Sequence, residues 1–189
     1  MTQPRAQSRS QTPAQTAAPT DLTVHVNGRA VSVPAADADM SLAEFLHERL
    51  DLTGTKVCCG IGVCRACTVG LRNRSNALME KTLACVTPMS AVANQYVYTV
   101  ESLANGARLS PLQQAFLEGF AFQCGYCTPG FLMAATALLD HLKGYRLSAE
   151  QLDAAIDTWV GGNLCRCTGY VKYRAAIKQA VHRQWQDGA

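Results

Sequence analysis

The sequence has no run of about 20 apolar residues of the kind a membrane-spanning helix needs, so no insertion of this chain into a membrane is expected. Positive charge is also thin: the formal net charge is +3 over 189 residues, and Lys and Arg are scattered without aromatic interleaving. Nothing in that balance points to nucleic acid as a partner. Motifs that carry substrate chemistry are missing too. There is no G-x-G-x-x-G after a strand pattern, no P-loop, no nucleophile elbow and no pair of carboxylates in a shaped context. Residues 1–20 contain Arg5 and Arg9 but neither an apolar core nor an adjacent arginine pair, so they do not form a secretory signal. Their Gln, Thr, Ala, Ser and Pro content reads as a disordered tail, with a transit peptide as the second reading because the segment has arginine and no acid. The expected location is cytoplasmic. The alternative is a periplasmic or membrane-associated site reached through exported or membrane-bound partners.

What the sequence does have is cysteine. There are nine, an odd number, most of them in C-x2-C and C-x-C pairs. That suits metal ligation in a reducing compartment better than a disulfide framework. Cysteines two apart rarely reach bridge geometry without strain.

The first half reads as strands. Leu22 to Val33 alternates apolar and polar residues about Asn27-Gly28, a two-residue hairpin signal with strands near 22–26 and 29–33. Ser41 and Glu44 form a capping box ahead of Leu42, Phe45, Leu46 and Leu50, which predicts an amphipathic helix over 42–50. Periodicity stops between Leu52 and Cys67, where GTKVCCGIGVCRAC makes a ligand loop. A short strand is expected at 68–71, a turn at 72–76 and a last strand at 96–100. Beyond the unpatterned 102–109 the signals become helical. Ser110-Pro111 opens one helix and Thr128-Pro129 a second that stops at Gly144; Ser148 with Gln151 opens a third, ending at Gly161-Gly162, and Thr168 caps a fourth. Four such helices suggest a bundle.

Two cysteine constellations stand out. Cys59, Cys64 and Cys67 have the spacing C-x4-C-x2-C, with Cys85 eighteen positions on, the plant-type arrangement for a 2Fe-2S cluster. Gly60 and Gly62 permit the positive-φ turns that aim backbone N–H groups at the cluster. Using the adjacent Cys58 instead gives C-x5-C-x2-C, and a structural zinc set is a further alternative. The second set is Cys124, Cys127, Cys165 and Cys167, two pairs that each run into a helix start, where unpaired N–H groups and the dipole favour anions. A four-thiolate 2Fe-2S centre carries about −2 when oxidised and about −3 when reduced, so helix N-termini would help it accept an electron. His25, His47, His141 and His182 lie far from these motifs, which disfavours a Rieske centre. Such a chain is expected to move electrons, not to transform a substrate.

QCGYCTPG (Gln123 to Gly130) with GNLCRCTGY (Gly162 to Tyr170) resembles the two-cluster 2Fe-2S subunit, or N-terminal region, of the molybdenum hydroxylases. That family includes xanthine dehydrogenase, aldehyde oxidoreductase, isoquinoline and nicotinate oxidoreductases and aerobic carbon monoxide dehydrogenase. The resemblance covers about residues 21–183. It implies an α+β chain: a β-grasp ferredoxin domain over 21–103, a linker at 104–109 and an all-α four-helix 2Fe-2S-binding domain over 110–189. It implies two 2Fe-2S clusters, with Gln123 and Cys167 approaching a molybdopterin, of cytosine dinucleotide type, on a large partner subunit. The acceptor implied is FAD on a third subunit, or haem on a cytochrome c subunit. Substrate oxidation, at an aldehyde or N-heterocycle carbon, would lie on another chain of the oxidoreductase. The family loop usually reads K-x-G-C-G-x-G-x-C-G-A-C, whereas Cys58 and Arg65 stand here where glycines are expected. Aligning on Lys56 makes Cys59 the ligand. Arg65 must then keep a negative φ or bear strain, and its charge is expected to raise the cluster potential or to face an acidic partner surface. A zinc-stabilised scaffold and a free-standing two-cluster ferredoxin are the rival readings.

Overall fold

A computed structural model describes residues 21–187, so the reading of residues 1–20 as a tail lies outside the described residues. Asn27 and Gly28 both adopt positive φ, 50° and 82°, as a tight hairpin turn between twisted strands requires. They join β1 (Leu22–Val26) to β2 (Arg29–Val33). The Asn27 side chain also accepts from Thr99 N at 2.9 Å and donates to Thr99 Oγ1 at 2.8 Å, which ties the turn to the end of the central strand. After α1 (Leu42–Glu48) come β3 (Thr68–Arg72), β4 (Glu80–Leu83) and β5 (Tyr96–Tyr98). The sheet order is β2-β1-β5-β3-β4, with β5 parallel to β1 and antiparallel to β3.

The two faces of this sheet serve different cores. Val24, Val26, Val69 and Val97 meet Leu42, Phe45 and Leu46 of α1, whose N-terminus is capped by Ser41 accepting from Glu44 N. On the opposite face of β3, Gly70 is covered by Met79 and by Met133 of a helix from the second half of the chain. That helix, α3 (Thr128–His141), has ten of its 14 residues buried. Burial all round is what an element inside the molecule needs. One side of α3 packs on β3. The others meet α2 (Pro111–Glu118), α4 (Ala149–Val160) and α5 (Val171–Asp187) around Phe116, Phe131, Leu138, Ile156, Tyr173 and Ile177. Capping boxes, Ser110 with Gln113 and Ser148 with Gln151, start α2 and α4.

Five features differ from the sequence expectations. The strand expected over 96–100 stops at Tyr98, and a 3-10 turn runs from Val100 to Leu103. Helix α1 ends two residues early, at Glu48. Strand β4 was not anticipated: it is an edge strand of partly buried residues, EKTL, without a clean alternation. In α3 the N-cap is Cys127, and Thr128 lies inside the helix with its hydroxyl turned to Tyr173. The last helix begins at Val171 instead of just after Thr168.

The β and helical parts are joined by buried polar contacts. Asp140, near the C-terminus of α3, accepts from Met79 N at 2.8 Å, Arg72 Nη2 at 3.1 Å and Lys143 Nζ at 2.6 Å. Lys81 of β4 donates to the carbonyls of Thr158 and Trp159, at 3.1 and 2.5 Å, and so satisfies the last turn of α4 from across the interface. Burial pushes the Asp140 carboxyl up, but the Lys143 ammonium, the Met79 N–H and Arg72 together hold it below the usual carboxylate range. A depressed folded-state pKa contributes stability that is present above the unfolded value, about 4, and lost as pH falls through the folded one. Asp140→Asn is therefore expected to lower unfolding free energy at neutral pH by about 1–3 kcal/mol. It should also flatten the acid limb of a stability-against-pH curve, measured by denaturant titration.

Candidate metal centres

The ligand loop is curled by three consecutive left-handed turns, at Gly60 (φ 68°), Gly62 (φ 76°) and Arg65 (φ 59°). The curl brings Cys64 N–H onto Cys59 Sγ at 3.4 Å. With Ile61 and Val63 adding their N–H groups, the Cys59 thiol is held down to about 6, Cys64 being the largest cause. Its neighbour Cys58 is exposed. Further along the loop, Cys67 is buried, and burial pushes its thiol up to about 12. It meets Cys85, which is brought alongside by Ala84 N donating to Cys67 O at 3.1 Å. Burial likewise raises Cys64.

The second set assembles from two segments. Cys127 caps α3, while Cys165 and Cys167 precede the start of α5. Helix-dipole stabilisation falls off within the first turn, so it reaches Cys127 and hardly reaches Cys167, a correction to the symmetric expectation. Cys167 Sγ lies 3.6 Å from Cys124 Sγ, both exposed, and this contact raises the Cys167 thiol. The inner pair is Cys127 and Cys165, also thiol to thiol. Burial pushes Cys127 up to about 11. Burial acts the same way on Cys165, but the Thr168 hydroxyl at 3.1 Å and the N–H groups of Thr168 and Cys167 bring it down to about 7.

Each set is thus two pairs of thiols. Among the described residues no three His, Cys, Asp or Glu side chains converge on one point as a single ion requires. Two thiolates sharing a tetrahedral metal at about 2.3 Å stand about 3.8 Å apart, close to the Cys124–Cys167 separation. Soft sulfur donors arranged two by two fit a dinuclear iron–sulfur centre.

The two loops touch. Leu164 N donates to Cys64 O at 2.9 Å, Asn163 Nδ2 to Arg65 O at 2.9 Å and Tyr126 Oη to Val57 O at 2.7 Å. A Cβ on Gly130, in the first turn of α3, would come within 2.6 Å of Arg65 O and 2.8 Å of Ala66 O, so glycine permits this backbone-on-backbone approach. Arg65 bears the strain anticipated for it: its φ is positive, at a cost of about 1–2 kcal/mol. Its carbonyl also accepts from Thr68 Oγ1 at 2.7 Å. The guanidinium does not reach outward; it lies over Gly162, where any Cβ would collide with it. Sequence reasoning found the cysteines and missed this contact.

The histidines lie elsewhere. His25 stacks on Tyr96, His47 meets Thr55 O, His141 meets Met79 O and His182 is exposed. Apolar side chains are exposed beside both loops: Ile61 and Val63 on the first, Leu164 and Val171 next to the second.

A mixed sheet carrying a curled cysteine loop, docked on helices that carry a second cysteine set, defines an iron–sulfur protein of ferredoxin type. Family models agree: a 2Fe-2S iron-sulfur cluster binding domain matches residues 24–90 and a [2Fe-2S] binding domain matches residues 99–178. The chain is 36% identical to the nicotinate dehydrogenase small FeS subunit of Eubacterium barkeri, over 86% of this chain and 95% of that one. It is 38% identical to isoquinoline 1-oxidoreductase subunit alpha of Brevundimonas diminuta, over 87% and 97%. Quinoline 2-oxidoreductase from Pseudomonas putida 86 superposes with a TM-score of 0.72 at 30% identity, over 90% of this chain and 98% of that one. The chain therefore belongs to the 2Fe-2S subunits of the molybdenum hydroxylase family, the iron–sulfur components of multi-subunit oxidoreductases. It also matches aldehyde oxidases of Caenorhabditis elegans and Mus musculus, of whose lengths it spans only 12% and 11%.

Because N–H groups converge on Cys59 and not on the exposed Cys58, Cys59→Ser is expected to change one of two 2Fe-2S EPR signals while Cys58→Ser leaves both intact. The opposite outcome would transfer the ligand to Cys58.

Proposed function

We propose that this chain relays electrons, one at a time, from a molybdopterin centre on a large partner subunit to an acceptor on another. Cys59, Cys64, Cys67 and Cys85 would hold one 2Fe-2S cluster, in a domain spanning 21–103. Cys124, Cys127, Cys165 and Cys167 would hold the other, in a domain spanning 110–189, with the linker at 104–109. When bound, the clusters supply one-electron storage, which splits the two electrons of a substrate oxidation into single steps. The chain's own residues fix the spacing and the order.

The observation that carries this reading is the hydrogen bond from Leu164 N to Cys64 O, 2.9 Å, because Leu164 adjoins Cys165. It links a cysteine of one set to the neighbour of a cysteine of the other through a single hydrogen bond and a few covalent bonds. Gln123, Cys124 and Cys167 are all exposed, which suits them to face the pterin. The exposed Ile61 and Val63 beside the ferredoxin-type loop suit a surface covered by the acceptor, an FAD-binding or cytochrome c subunit. Apolar residues exposed beside both sets favour a subunit over a freely diffusing ferredoxin. The relatives' names, nicotinate dehydrogenase and isoquinoline 1-oxidoreductase, favour an N-heterocycle as substrate of the complex, with an aldehyde as the alternative.

Native purification tests this directly. The chain is expected to co-elute with a larger subunit that contains molybdopterin. Recovery as a lone, diffusible monomer with both clusters intact would contradict the proposal.

A further inference from the structure

Tyr173 sits in the first turn of α5 and is 2% exposed. Its ring stacks on Phe131 with centroids 4.1 Å apart and planes 8° from parallel, and Phe116 packs against it in a tilted arrangement at 5.4 Å. Its hydroxyl lies 3.3 Å from Cys127 Sγ and 3.2 Å from Thr128 Oγ1. A phenylalanine would fill the same stack, so packing does not account for the hydroxyl. We propose that Tyr173 is a positioning residue for electron transfer: its O–H donates to Cys127 Sγ and raises the reduction potential of the cluster bound by the helical cysteines.

The direction of the hydrogen bond follows from ligation, and so rests on the reading of Cys127 as a ligand given above. A metal-bound thiolate has no proton and can only accept. Tyr173 must then donate, and the Thr128 hydroxyl is free to donate to Tyr173 Oη in turn. The result is a chain, Thr128 to Tyr173 to Cys127, whose members polarise one another in a buried setting. Reduction adds a negative charge at the sulfurs, and the hydrogen bond strengthens with it. The reduced form gains more than the oxidised form, which is a higher potential. Cys165 receives the Thr168 hydroxyl at 3.1 Å, so both inner thiols have hydroxyl partners, whereas the outer Cys124 and Cys167 meet each other and solvent.

The test is an EPR-monitored redox titration of the cluster-loaded full chain and its Tyr173→Phe variant, with iron and sulfide determined on both. The midpoint of the helical-domain cluster is expected to move to lower potential in the variant, while that of the ferredoxin-type cluster stays fixed. Thr128→Val, which keeps Tyr173 and removes only the hydroxyl behind it, should shift the same midpoint in the same direction by less. If both signals are present and neither variant moves the helical-domain midpoint, Tyr173 only packs and the inference is wrong. If the wild-type chain shows a single cluster, the ligand reading itself falls and takes this inference with it.

Discussion

The organisation of this chain depends on how closely the cysteine loop of the sheet can approach the start of α3. The approach is made by backbone on backbone, Arg65 and Ala66 carbonyls against Gly130, with no side chain between them. Around that contact, Leu164 N, Asn163 Nδ2 and Tyr126 Oη donate to carbonyls of the loop. Each of these donors lies within a few residues of a cysteine in the second set. Positioning the loop and positioning the second set are therefore one problem, solved by one surface. Asp140, near the C-terminus of α3, and Lys81 of β4, which donates to the last turn of α4, hold the sheet and the helices together as well.

The two halves contribute differently to that surface. The sheet supplies a loop bent by glycines and a strained Arg65, whose cost is offset locally by the three donors on its carbonyl. The helices supply rigid starts: Cys127 caps α3, and the aromatic stack of Phe131 and Tyr173 locks α3 to α5 beside it. Rigid elements hold a site's geometry better than loops alone. In the second set this leaves an inner pair, Cys165 buried and Cys127 half-buried, with hydroxyl partners, and an exposed outer pair. That asymmetry suits the relay proposed above: one side packed against its own chain, the other exposed.

Much of this is legible in the sequence alone. Asn27-Gly28 marked the hairpin because few other dipeptides accept two positive φ angles, and Ser110-Pro111 and Ser148 marked helix starts that the capping boxes realise. Cysteine spacing picked out eight thiols, and the structure brings them into pairwise neighbourhoods. What escaped was whatever depends on a distant partner. Strand β4 pairs with β3 alone at an edge and so carries no strong alternation. Thr168 looks like a cap, but its hydroxyl is taken by Cys165 and by Tyr170 N, and α5 starts later. Gly130 has an ordinary helical backbone, and only the loop pressed against it explains the missing side chain.

The central claim is that one chain holds two dinuclear iron–sulfur centres in adjoining loops. The most direct measurement is iron, sulfide and zinc analysis of the native protein combined with low-temperature EPR of its fully reduced form. The account predicts four irons and four sulfides per chain, about two spins, and two distinguishable 2Fe-2S signals broadened by magnetic coupling across the Cys64–Leu164 contact. Zinc in place of iron, or a single 2Fe-2S signal from the fully loaded chain, would contradict it.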